Sequence, residues 1–222
     1  MNEIKLNSTY KGTRILFGEL STYKRQLINK MVDILIKDGF TEIMIPIIQK
    51  EETFSSKVGE ENNNMMYTFK DKGNRNICLS PEYTAVIQQL SKEKFIYGKN
   101  NPMKDVKVFY ISECFRGERP QNGRYRQFTQ FGVEILNPSK DYSEYLINLS
   151  KKLISIVTED YEVNRNVVRG LDYYKDSKGF EVSCPLLGSQ KQICGGGEYD
   201  GGIGFAIGVD RLIIIEGKKD LT

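Results

Sequence analysis

Between Cys114 and Leu136 the chain reads CFRGERPQNGRYRQFTQFGVEIL, where Arg116, Arg119, Arg124 and Arg126 are interspersed with Glu118, Glu134 and aromatic residues. Guanidinium groups grip phosphate through paired N–H donors, a ring such as Phe128 offers a face for a base, and a carboxylate accepts from a polar ligand. The set suits a nucleotide beside a second, smaller pocket, with Glu134 at the inner end. It also fits a solvated, charged hairpin on a sheet edge.

The residues around these groups indicate how they are held. VKVFYISECF precedes them and YRQFTQFGVEIL follows, both rich in β-branched and aromatic residues, with polar residues at Pro120 to Gly123 between. This predicts a long antiparallel hairpin. Strand side chains alternate faces, so Arg124, Arg126, Phe128, Gln130, Gly132 and Glu134 share one side, and Arg116 and Glu118 share one side. The odd positions Tyr125, Phe131, Val133 and Ile135 suit packing against the body, with Gln127 and Thr129 as polar exceptions.

The remaining chain supplies the frame. Its 222 residues, 39% hydrophobic and 27% charged, suffice for one sizeable core, and residues 1–222 read as a single domain without repeat or linker. A net charge of +3, spread along the chain, neither requires nor excludes nucleic acid. Cys78, Cys114, Cys184 and Cys194 lack C-x-x-C spacing and there is no histidine, which argues against a zinc site or a Ser-His triad. The expectation is a cytoplasmic protein with reduced thiols and neither signal peptide nor membrane span.

Leu27, Ile28, Met31, Ile34 and Leu35 predict a helix over about residues 21 to 38, with Ser21 at its start and Gly39 as its left-handed end. TEIMIPIIQ reads as a strand interrupted by Pro46, which fits a dimer interface or a plain sheet edge. NICLSPEYTAVIQQL reads as a strand and then a helix, with Ser80 as N-cap and Pro81 in the first helical position. Glu82 at that start either satisfies the helix dipole or meets a ligand ammonium group. Residues 139 to 158 carry a second helical pattern. Beyond them lie the strand-like runs VVRGLDYY, FEVSC and QICGGGEYDGG, and then GIGFAIGVDRLIII, a strand turning through Gly208 into a short helix that presents Arg211. The triple glycine marks close approach of the backbone to a ligand or to a neighbouring strand.

In this order TEIMIPIIQ, FRGERPQNGRYRQFTQFGVE and GFAIGVDRL resemble the three motifs of class II aminoacyl-tRNA synthetases, with Pro46, Arg116 and Arg211 at their invariant-type positions. VRGLDYY and GGGEYDG narrow the resemblance to the histidyl-tRNA synthetases. It covers nearly the whole chain. It implies an α+β fold, a mixed and mostly antiparallel sheet flanked by helices, working as a homodimer that makes an aminoacyl adenylate from ATP, with Mg2+. By the same resemblance Arg116 and Arg169 would be catalytic. Glu118, Arg124, Phe128 and Arg211 would join Arg116 in holding ATP: Glu118 on the adenine edge, Phe128 and Arg211 about its ring, Arg124 on the distal phosphates. Glu82, Thr84 and Gln130 would surround the amino group of histidine, and Glu134 and Tyr174 would bracket its imidazole. Arg169, Tyr173 and Tyr199 would complete that pocket.

The sequence departs from the family in three places. It ends at Thr222, soon after the third motif, where family members continue into an anticodon-binding domain. Only about thirty residues separate Leu136 from Arg169, where members carry an inserted helical domain that clamps the acceptor stem. The loop between GGGEYDG and GFAIG is almost gone. The expected function is activation of histidine followed by transfer to the acceptor stem of histidine tRNA. The alternatives are a regulatory paralogue, such as the synthetase-like subunit of ATP phosphoribosyltransferase or an amino-acid sensor, and transfer to an acceptor other than tRNA.

Overall fold

The computed structural model describes residues 9–55, 63–96, 103–168, 174–188 and 191–217. β1 (Thr41–Glu42) runs parallel to β5 (Val106–Phe115), and every other pairing in the seven-stranded main sheet is antiparallel. β5 pairs with β6 (Gln127–Leu136), β6 with β10 (Gly202–Gly208), β10 with β9 (Gln192–Tyr199), β9 with β8 (Tyr174–Ser183) and β8 with β7 (Glu162–Val167). A small second sheet joins β2 (Ile48–Lys50), β4 (Asn76–Leu79) and β3 (Tyr67–Lys70). The helices are α1 (Glu19–Lys37), α2 (Glu52–Ser55), α3 (Thr84–Leu90), α4 (Ser143–Ile154) and α5 (Val209–Ile215). This is the α+β arrangement that the resemblance implies, a mixed and mostly antiparallel sheet flanked by helices. No described helix is long and apolar enough to cross a membrane.

One face of the main sheet is apolar. Phe131, Val133 and Ile135 of β6 join Ile203, Phe205 and Ile207 of β10, and α1, α4 and α5 cover them with Leu27, Met31, Leu35, Leu146, Leu153 and Leu212. The opposite face of β10 carries Gly202, Gly204, Ala206 and Gly208, so alternation leaves one side bulky and the other nearly bare. The bare side leaves room for the polar side chains of the site.

Several sequence expectations need correction. Ser80 does not cap a helix and Pro81 does not begin one. Ser80 Oγ donates to the Glu82 carbonyl at 2.6 Å, and α3 starts only at Thr84. Its exposed donors are served by the Glu82 carboxylate, which accepts from Thr84 N at 2.6 Å and Ala85 N at 3.1 Å. TEIMIPIIQ is not one strand: Pro46 stands between β1 and β2, which belong to different sheets. The helix expected from Ser21 begins at Glu19, with Ser21 Oγ bonded to the Gly18 carbonyl, and ends at Lys37, after which Gly39 takes the left-handed φ of 82°. The helix expected over 139 to 158 is the shorter α4. Residues 116–126 form a loop with a single bridge, Gln121 to Arg124, so the two strands do not run on to a tight turn. Of VVRGLDYY, residues 169–173 lie outside the described residues.

Candidate active site

The polar face of β6, the loop after β5, α5 and the ends of β8 and β9 enclose a cavity of about 370 Å³. Arg116, Glu118, Arg124, Phe128 and Arg211 line it, together with Glu82, Thr84, Gln130 and Tyr174. Nine of the expected site residues therefore meet around one space. Arg169 and Tyr173 are outside the described residues.

At the outer end the arginines are held by backbone carbonyls. Arg116 Nε donates to the Pro81 carbonyl at 2.9 Å, and its guanidinium lies 5.2 Å from the centroid of the Phe128 ring. Arg211 Nε donates to the Gly123 carbonyl at 3.0 Å and NH1 to the Gln192 carbonyl, tying the loop to β9. Burial first, and the Arg116 charge second, hold the Arg211 pKa below its ordinary value. Arg124 Nε and Glu118 Oε2 form an ion pair at 2.5 Å. Arg126, expected on the same face, turns away: its Nε donates to the Glu118 carbonyl at 3.0 Å and its guanidinium covers Tyr10. The register of the strand does not extend into the loop, so alternation fails there.

Glu134 and Tyr199, also expected at the site, do not line the cavity: Glu134 is fully buried behind Thr84, accepting from Tyr199 OH at 2.9 Å and Thr84 Oγ1 at 3.3 Å. Burial is the main cause that raises its carboxyl from the ordinary 4.5 to about 8; the Tyr199 hydrogen bond opposes this. Its space exists because residue 204 is glycine: a Cβ there would stand 1.7 Å from Glu134 Oε2. Tyr199 packs edge-on against Tyr174, with centroids 6.4 Å apart. Gln130 Oε1 accepts from Cys114 Sγ at 3.2 Å and Tyr110 OH at 3.4 Å, which fixes the amide on the wall. The triple glycine serves strand packing at Gly196, where a Cβ would lie 2.4 Å from the Gly204 carbonyl oxygen, while Gly195 borders the cavity.

Sequence reasoning missed Asp210, which borders the cavity, is nearly solvent-free and pairs with Arg14 and Lys24. An acidic residue in the first turn of a helix, directly before Arg211, was the available signal. It also missed Glu181, and it placed Tyr125 on the packing face although Tyr125 borders the cavity. Among the described residues no three His, Cys, Asp or Glu side chains converge as a metal cage.

Residues 16–154 match the family model described as Histidyl-tRNA synthetase. The histidine-tRNA ligase of Desulfitobacterium hafniense (strain DSM 10664 / DCB-2) is 30% identical over 309 residues, spanning 91% of this chain and 72% of that protein. The structure of apo histidyl-tRNA synthetase from S. aureus superposes with a TM-score of 0.76 at 26% identity, covering 95% of this chain and 70% of that one. A Bacillus halodurans protein described as an ATP phosphoribosyltransferase regulatory subunit/histidyl-tRNA synthetase shares the fold with a TM-score of 0.76 at 15% identity, covering 97% of this chain and 84% of that one.

Proposed function

The chain belongs to the histidyl-tRNA synthetase family, and from that membership we propose that it activates histidine with ATP, releasing pyrophosphate, and passes the histidyl group to tRNA. The observation that carries the reading is the convergence of Arg116, Arg124 and Arg211, from the hairpin loop and α5, on a cavity that Thr84, Gln130 and Tyr174 also line, with Glu134 buried behind Thr84. One principal core beneath one main sheet supports treating residues 1–222 as a single catalytic domain.

Attack of the histidine carboxylate on the α-phosphorus forms a P–O bond as the bond to pyrophosphate breaks, and negative charge builds on the equatorial oxygens. Guanidiniums fixed on either side stabilise that charge, roles assigned here to Arg116 and Arg169. On this reading nucleotide entry moves Arg116 off the Phe128 ring, and adenine takes its place between Phe128 and Arg211. It also opens the Arg124–Glu118 pair, freeing Glu118 for the adenine edge and Arg124 for the distal phosphates. Arg124 is 42% exposed but the Glu118 side chain only 11%, so Glu118 leaves the pair as the adenine edge takes the place of Arg124. Mg2+ supplies charge neutralisation on the phosphates.

For histidine, the Glu82 carboxylate that serves the two α3 amides would also meet the ammonium group, beside Thr84 and Gln130. Glu134 and Tyr174 offer two polar groups to the two ring nitrogens of an imidazole, which an apolar amino acid could not use. Tyr199 orients the Glu134 carboxylate.

The test is ATP–pyrophosphate exchange with each of the twenty amino acids. Exchange that requires histidine supports the reading; exchange with another amino acid, or none, overturns it. The Bacillus halodurans fold match favours one second reading, a regulatory module, which binding of ATP or histidine without exchange would select. Transfer is tested by charging histidine tRNA and its acceptor-stem minihelix, and failure of both with exchange intact points to another acceptor.

A further inference from the structure

β6 and β10 remain in register as far as Gln130 opposite Gly208. At Val209 the chain turns into α5, so Thr129 faces no strand partner there. Its N–H donates instead to Asp210 Oδ2 at 2.6 Å, extending the ladder by one bond through a side chain. Thr129 adjoins Phe128 and Asp210 adjoins Arg211, so this bond sets the spacing of the two groups assigned to adenine.

The other carboxylate oxygen, Oδ1, accepts from Arg14 NH2 and from Lys24 Nζ at 3.3 Å. The Asp210 side chain is 3% exposed and that of Arg14 7%. The Arg14 guanidinium also lies 3.5 Å from the centroid of the Tyr125 ring, on the cavity wall. Just before it, Gly12 O accepts from Arg126 N at 2.7 Å and Lys11 O from Arg126 NH1 at 3.2 Å. Gly12 has φ +87°, and a Cβ there would stand 2.7 Å from Pro120 Cγ. The segment from Lys11 to Arg14 thus lies against the loop that carries Arg116, Glu118 and Arg124.

We propose that Asp210 is a positioning residue for the nucleotide, acting through Thr129 and Arg211, and that residues Lys11 to Arg14 brace the 116–126 loop through it. The proposal rests on the ATP reading of the cavity. A dry carboxylate shared by two cations and an amide holds its geometry closely, and removing one partner leaves uncompensated buried charge. Glu82, Thr84 and Glu134 make none of these contacts, and Gln130, next to Thr129, is held separately by Cys114 and Tyr110, so the effect falls on ATP and spares histidine.

The test compares the unaltered chain with Arg14→Gln, Arg14→Lys and Asp210→Asn, measuring thermal melting, the ATP dissociation constant by calorimetry, and the exchange KM for ATP and for histidine. Arg14→Gln and Asp210→Asn should weaken ATP binding about tenfold or more while the histidine KM stays within about twofold. Arg14→Lys should recover part of the loss, since an ammonium keeps the charge but not the guanidinium's contact over the Tyr125 ring. If Asp210→Asn does not fold, the Arg14 pair decides. Unchanged ATP affinity, a parallel loss for ATP and histidine, or a lysine variant no better than glutamine overturns the proposal. If the unaltered chain binds ATP without exchange, the catalytic reading fails while the dissociation constants still judge the brace. If it binds no ATP, both fall.

Discussion

Tyr199 donates its phenolic proton to Glu134 across 2.9 Å, and neither side chain is more than 1% exposed. The pair joins β9 to β6 across β10, behind the cavity wall at Thr84 and Tyr174. Burial, followed by the Glu134 charge, raises the Tyr199 hydroxyl well above its ordinary pKa, so it remains the donor.

The Glu134 carboxyl titrates near 8 in the folded chain against 4.5 when unfolded, so between those values the folded state holds the extra proton. Its contribution to stability is therefore present at low pH and is lost as pH rises through this window, with a slope approaching about 1.4 kcal/mol per pH unit. Glu134→Gln has no such slope. Denaturant unfolding of both proteins from pH 5 to pH 9 should show the variant gaining on the parent as pH rises, and a constant difference would contradict the assignment.

Gly204→Ala would place a methyl group against the Glu134 carboxylate and 2.5 Å from the Val133 carbonyl oxygen. Such overpacking costs about 1–3 kcal/mol. Adding Glu134→Ala should recover part of that loss, since only the backbone contact then remains. A double variant whose loss equals the sum of the two singles would show that the carboxylate is not what residue 204 accommodates.

Arg116→Ala removes the hydrogen bond to the Pro81 carbonyl and the contact with Phe128, so stability should fall by about 1–3 kcal/mol. Exchange should fall at least about a hundredfold. Melting curves alongside exchange rates separate the two effects, and a folded variant retaining most of its activity would remove Arg116 from the mechanism.

Met44, Ile47 and Ile48 flank Pro46 and are 85%, 41% and 55% exposed, an apolar stretch that a second copy would cover. Light scattering at micromolar concentration should give about twice the 25.5 kDa chain mass, and Met44→Asp with Ile48→Asp should halve it. An unaltered chain that is monomeric and fully active would assign this stretch to the sheet edge alone.

The sequence alone determined the β5–β6 hairpin, the core positions Phe131, Val133 and Ile135, and the meeting of Arg116, Arg124, Phe128 and Arg211. The hairpin and the core positions follow from strand alternation, whereas the meeting of Arg211 with the hairpin residues was implied by the family resemblance alone. It went wrong where alternation ends, at Arg126 and Tyr125, and at Ser80, where a side chain turned to a carbonyl two residues on and left the cap to Glu82. Only the tertiary structure decided the role of Asp210, whose partners Thr129 and Arg14 stand 81 and 196 residues away. It likewise decided that Gly204 makes room for Glu134. Local sequence carries period and propensity, whereas a buried charge or a vacant Cβ position acquires its meaning from whichever distant strand packs against it.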